Sequence, residues 1–141
     1  MKHLSSIGSY LVVVLLFFTL SCTDHDIKEQ PDLETLVYGA NCKFLFTYKL
    51  NVRRVGDFPV TEYGIVWKPG NAQEYQPGVM PKDPPVIETD TKAVFDLPLT
   101  LGEKQKFAGG ACGPLVYYRT YAILKDGTVV YGNLLAYRIT G

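Results

Sequence analysis

The clearest period in the chain runs over residues 41–53, NCKFLFTYKLNVR, where Cys42, Phe44, Phe46, Tyr48, Leu50 and Val52 alternate with Lys43, Thr47, Lys49, Asn51 and Arg53. Only Leu45 breaks the polar set. A period of two means a strand with one face in a core and the other in water. Further strands are predicted at residues 36–38, 61–68, 93–99, 115–124 and 128–140. Turn signals separate them: Val55-Gly56-Asp57, Pro69-Gly70-Asn71, Gly109-Gly110 and Lys125-Asp126-Gly127. The Asp-Gly pair between two apolar strands is a hairpin signal. No segment sustains a helical period, and 9 prolines and 13 glycines punctuate the chain. About seven short strands in roughly 110 residues predict an all-β fold, an antiparallel sandwich of two sheets. Residues 69–91 stand apart. They carry Pro69, Pro77, Pro81, Pro84 and Pro85 with Tyr75 and Met80 between them, and show little alternation. Their length marks a candidate recognition loop, with Tyr75 a candidate ligand contact.

The first residues follow a different pattern. After Lys2 no charge appears until Asp24, and LVVVLLFFTL lies between. A basic start, an apolar run of roughly 10 to 14 residues and small residues at its exit predict a secretory signal over residues 1–21. A membrane-spanning helix needs about 20 apolar residues, usually with a basic stop beyond them. The window Thr19-Leu20-Ser21-Cys22 resembles the lipobox of bacterial lipoproteins, with leucine one place nearer the cysteine than usual. The resemblance implies that Cys22 is diacylated and becomes the N-terminus, an anchor and not a nucleophile. More than one acyl chain holds a protein stably at a membrane where a single chain would not. Polar residues with Pro31 then predict a flexible tether over residues 22–32, and residues 33–141 form one domain. The acidic residues after Cys22 resemble export signals of Bacteroides-type lipoproteins. That resemblance implies the outer membrane, at the cell surface or on its periplasmic face.

Charge and chemistry narrow the function. The chain has 14 basic and 14 acidic side chains, and loss of Lys2 with the signal leaves a mature charge of about −1. Nothing in that balance favours nucleic acid. Of the 2 histidines, only His25 remains after the signal, and it sits in the tether, so no histidine is available to activate a nucleophile. No close cysteine or histidine spacing suits zinc, and no cofactor motif is present. Glu62, Asp83, Glu88, Asp90 and Asp96 lack motif spacing and read as solvated charge. An enzyme is therefore not expected.

The last third sharpens the fold. YYRTYAILKDGTVVYGNLLAYRITG, from Tyr117, resembles the closing strands of fibronectin type III and immunoglobulin-like modules found in Bacteroides-type lipoproteins, with Arg119, Tyr121, Ala122, Gly127, Tyr131, Gly132 and Asn133 in matching places. VTEYGIVW, residues 60–67, is similar to their third strand. One departure is Val116 at the tyrosine-corner position, with Tyr117 one place late. The resemblance implies a single immunoglobulin or fibronectin type III-like sandwich. It also implies that Cys42 and Cys112 lie at the same pole, where a disulfide would close a loop worth about 4 kcal/mol. The alternative is two separate buried thiols. On the strand from Leu115, inward parity for Val116, Tyr118, Thr120, Ala122 and Leu124 leaves Tyr117, Arg119 and Tyr121 outward. These are candidate ligand contacts for a sugar or a protein partner, although the arginine can instead lie across the rings. Trp67 reads as core. The expected function is that of a non-catalytic binding, adhesion or accessory module. The alternative is a structural spacer or assembly subunit of an envelope complex.

Overall fold

A computed structural model describes residues 27–37, 46–108 and 114–138. The signal, Cys22, Cys42 and Cys112 lie outside the described residues, and with them the lipidation site and the disulfide. The described chain forms seven strands: β1 (Asp32–Leu36), β2 (Phe46–Arg54), β3 (Val60–Pro69), β4 (Thr91–Val94), β5 (Gly102–Ala108), β6 (Leu115–Leu124) and β7 (Val129–Arg138). All pairings are antiparallel, in a three-stranded sheet of order β1-β2-β5 and a four-stranded sheet of order β4-β3-β6-β7. The expected all-β architecture is present, as two sheets face to face.

The alternation in β2 has its expected effect: Tyr48, Leu50 and Val52 are buried and face Tyr63, Ile65 and Trp67 of β3 and Val116, Tyr118 and Ala122 of β6. Trp67 is core, its ring stacked on Tyr48 at 6.5 Å between centroids. Tyr63 tilts against Phe95 at 5.9 Å and donates its hydroxyl to the Asp96 carbonyl at 2.9 Å. Burying these large rings supplies most of the driving force for closing the sheets.

Three features depart from the predicted strands, the first being that the strand predicted at residues 93–99 is confined to β4, Thr91–Val94. β5, GEKQKFA, has no apolar alternation: its outward positions are Glu103, Gln105 and Phe107, while Lys104 and Lys106 point toward the seam between the sheets. Lys106 reaches the Val94 carbonyl and Lys104 the Thr100 hydroxyl. Such lysines mark an edge protected against pairing with another strand. The first strand also begins earlier than predicted, at Asp32. Residues 29–31, read above as tether, are bound to the domain. The Asp57 amide donates to the Glu29 carbonyl and the Glu29 amide to Asp57 Oδ2, both at 2.9 Å, and Pro31 is buried.

The seam on the opposite side is closed by side chains. Asn133 of β7 accepts from the Thr35 amide at 2.7 Å and donates to the Thr35 carbonyl at 3.1 Å, as a neighbouring strand's backbone would. Thr35 Oγ1 donates to the Asn133 carbonyl at 2.6 Å and accepts from the Thr120 amide at 2.8 Å. This is possible because the β6–β7 register shifts between Arg119 and Tyr121. A β-bulge of this kind re-aims a side chain, and here it turns Asn133 toward β1.

Candidate functional site

Tyr117, Arg119 and Tyr121 were candidates for exposed ligand contacts on the outward face of the four-stranded sheet. The structure corrects this: residues 69–91 fold back over that face and roof it. The segment is built from local turns. Asn71 accepts from the Gln73 amide at 3.0 Å, an Asx turn, and Asp90 reaches back to accept from the Val86 amide at 2.8 Å, across the turn that its own amide closes on the Val86 carbonyl at 3.1 Å. Gly70 starts the segment because its backbone lies directly on Tyr117 and Leu115; a Cβ there would come within 2.6 Å of the Tyr117 ring and 2.7 Å of Leu115 Cδ2.

Beneath the roof Val66, Leu115, Pro85 and Tyr121 are fully buried, a second apolar layer outside the main core. Tyr121 is therefore no ligand contact. Its exposure is 0 %, and its hydroxyl donates to Glu62 Oε1 at 2.7 Å. Lys92 Nζ donates to the same oxygen at 2.8 Å and lies 5.9 Å from the Tyr121 ring centroid. Arg119 is likewise committed. Its Nε donates to the Pro85 carbonyl at 2.7 Å, and its guanidinium lies 3.6 Å from the centroid of the Tyr131 ring. Tyr131 in turn accepts from the Ile87 amide at 3.2 Å. Arg119 and Tyr131 thus clasp residues 85–87 onto the sheet, and the arginine lies across the ring of Tyr131.

Replacing Arg119 with alanine removes a charge-assisted hydrogen bond and a stacked cation, and is expected to cost about 1–3 kcal/mol. Amide exchange at Ile87 is the more specific readout. It is expected to quicken in Arg119→Ala, and to do so partly in Arg119→Lys, which keeps charge but not the planar stack. Unchanged exchange at Ile87 in the alanine variant would remove the clasp.

Lys92, and then Tyr121, stabilise the Glu62 carboxylate and hold its pKa below the ordinary 4.5, while burial, and then Glu62, push the Tyr121 hydroxyl upward. A carboxyl depressed on folding stabilises above its unfolded-state value, and the gain is lost as pH falls through the folded value. Because the Glu62 side chain is 30 % exposed, the expected contribution is about 1 kcal/mol or less. Urea midpoints of the wild type and Glu62→Gln are expected to differ at neutral pH. They should converge as pH drops below 4.5 and on through the depressed value. A constant gap down to acid would count against this ion pair.

Two of the four candidate contacts come together. The roof's tip, residues 75–81, stands clear of the sheet with Val79 58 % and Met80 66 % exposed. Between the tip and the β6–β7 surface runs a groove of about 310 Å3 whose walls include Tyr75, Met80, Pro81, Tyr117 and Ala136. Arg138 lies 5.7 Å from the Tyr75 ring centroid. A hollow of about 620 Å3 continues on the other side of Tyr117 toward Lys68, Glu74 and Lys82, and Lys68 there pairs with Asp83. Tyr75 and Tyr117 therefore line one site, and Arg119 and Tyr121 brace its support. Sequence reading missed Val79 and Ala136. Neither stands in a pattern, and the surface they share exists only once the segment has folded back onto β7.

Three of the five scattered acids have individual partners: Glu62 with Lys92 and Tyr121, Asp83 with Lys68, and Asp90 with the Val86 amide. Among the described residues no group of three or more His, Cys, Asp or Glu side chains is placed to hold a metal ion. What the arrangement offers is an apolar, tyrosine-lined contact surface with charged margins. Fold and site together define an all-β protein of two antiparallel sheets carrying a braced surface loop. No protein-family model matches the chain, and neither does any curated protein or solved structure.

Proposed function

We propose that this chain is a non-catalytic cell-envelope lipoprotein, anchored in the outer membrane through Cys22, whose single immunoglobulin or fibronectin type III-like domain binds a protein partner or polysaccharide. The observation that carries the binding role is the exposed Val79–Met80 tip beside Tyr75 and Tyr117, on a loop whose residues 85–87 are clasped to the sheet. A preorganised aromatic and methionine surface loses little freedom on binding, which is where affinity is otherwise spent, and such residues are typical anchors of interfaces. For the fold type, the supporting features are the sandwich itself and the Tyr131-Gly132-Asn133 motif in a specific structural role. Pairing of β4 with β3, and not with β5, departs from the constant-type immunoglobulin order.

A structural spacer or assembly subunit would join its neighbours through edge strands. Lys104 and Lys106 guard β5, β1 and β7 are bound to each other, and β4 has only four residues. These features weigh against that alternative.

The test is capture by the purified mature protein on a panel of immobilised polysaccharides and from detergent-solubilised envelope. Tyr75→Ala and Tyr117→Ala are each expected to weaken capture about ten-fold, on the scale of one hot-spot aromatic. Met80→Ser is expected to weaken it less. The control is Gln105→Ala, exposed on β5 of the other sheet, which is expected to leave capture unchanged. Capture that survives all three tip and groove changes would rule out this surface.

A further inference from the structure

Apolar side chains are also exposed at the other end of the sandwich, and there the chain's own path indicates what covers them. The end is formed by the turn at residues 55–59, the crossover at residues 95–101 and the β6–β7 hairpin, which is joined to the turn by the Lys125 amide donating to the Pro59 carbonyl at 2.9 Å. Leu97 is 51 % and Leu101 65 % exposed, and an apolar bowl of about 470 Å3 lies between Phe58, Pro59, Val60 and the Leu97–Pro98–Leu99 stretch. The N-terminal segment leaves from this same end, because Glu29 is hydrogen-bonded in both directions to Asp57 of the turn. Ile27, 84 % exposed, follows the same exit.

Four residues separate Cys22 from Ile27, five Cα-to-Cα steps in all. Whatever their conformation, they span at most about 18 Å. If Cys22 carries acyl chains, this end can never lie far from the bilayer surface, whereas the Val79–Met80 tip projects beside the upper halves of β6 and β7, about 20 to 30 Å along the strands. The charges at this end are balanced, Glu29, Asp57, Asp96 and Asp126 against Lys28, Arg54, Lys104 and Lys125. They give anionic lipid no electrostatic pull, so any attraction must be apolar.

We propose that this end, through Leu97, Leu101 and the bowl beside Phe58, rests in the interface of a neutral bilayer and holds the recognition tip pointing away from the membrane. The proposal rests on the reading of Cys22 as the lipid anchor. Leucines partly inserted at the headgroup boundary would convert a loose leash into a fixed orientation. The domain would then present Tyr75 and Tyr117 outward without needing a long stalk.

The full lipidated chain, extracted in detergent, is reconstituted into vesicles of phosphatidylcholine and phosphatidylethanolamine with brominated acyl chains. Leu97→Trp, Leu101→Trp and, as control, Met80→Trp each add one exposed fluorophore; Trp67, 8 % exposed, is common to all three. Emission from positions 97 and 101 is expected to be quenched at least about three-fold more strongly than emission from position 80. Adding anionic lipid is expected to change little. Equal, weak quenching at all three positions, in protein whose mass shows acylated Cys22, would overturn the footing and leave the anchor standing. A mass showing unmodified Cys22 would overturn the anchor and the footing with it.

Discussion

Gly132→Ala is expected to destabilise the protein by about 3 kcal/mol or more. A Cβ at this position would stand 2.0 Å from Thr120 Oγ1 and 2.3 Å from the Leu33 carbonyl oxygen. Neither neighbour can yield cheaply. Thr120 is fully buried, and its hydroxyl lies 3.3 Å from that of Thr35; turning it away abandons the seam. The Leu33 carbonyl belongs to β1, so relief there means pushing the strand off the sandwich. The effect is purely steric, because Gly132 is not among the glycines with positive φ. Gly127 provides the contrast. It sits at φ 87 with open space around it, so Gly127→Ala carries backbone strain without a clash, about 1 kcal/mol. Urea denaturation of both variants checks the pair. A Gly132→Ala protein no less stable than Gly127→Ala would mean that β1 does not pack as closely on β7 as described.

The same seam shows what could and could not be read from residue order. Alternation located β2 and the inward face of β6, because Tyr48, Leu50, Val52, Val116, Tyr118 and Ala122 are large or apolar and lie at a strict period of two. That period describes one strand and one sheet face at a time. It could not reveal that residues 69–91 fold back and bury Tyr121 and Leu115 on the supposedly wet face, since the segment's own composition is that of a solvated loop. β5 escaped notice for a different reason. At an open edge the inward positions can be Lys104 and Lys106, whose long stems cover apolar surface while their ammonium groups reach polar atoms at the rim. The Tyr131-Gly132-Asn133 stretch was legible as a resemblance. Its physical content, a glycine that admits β1 and an asparagine that pairs with it, appears only when the two strands are side by side. Tyr75 and Tyr117 were found as single candidates, but their meeting across one groove depends on the roof.

Asn133 is the position where the expected loss can be taken apart chemically. Its carboxamide stands in for a strand's backbone, accepting from the Thr35 amide and donating to the Thr35 carbonyl. Asn133→Ala leaves both groups of Thr35 without these partners at a partly buried seam, which is expected to cost about 2–4 kcal/mol, each unsatisfied group contributing about 1–3. Asn133→Asp keeps the acceptor but turns the donor into a charged oxygen facing the Thr35 carbonyl. At neutral pH it is therefore expected to be at least as destabilising as alanine. The carboxyl can regain the donor by protonating, and repulsion from the carbonyl raises its pKa in the folded state. For a group whose folded pKa is raised, the proton-bound form is favoured by folding, so the aspartate variant should recover stability relative to alanine as pH falls toward the carboxylate range. Urea midpoints of the two variants at pH 7 and near pH 4 decide the matter. Curves that keep the same separation at both pH values would show that the Thr35 carbonyl is satisfied by water, and that Asn133 holds β1 through its acceptor alone.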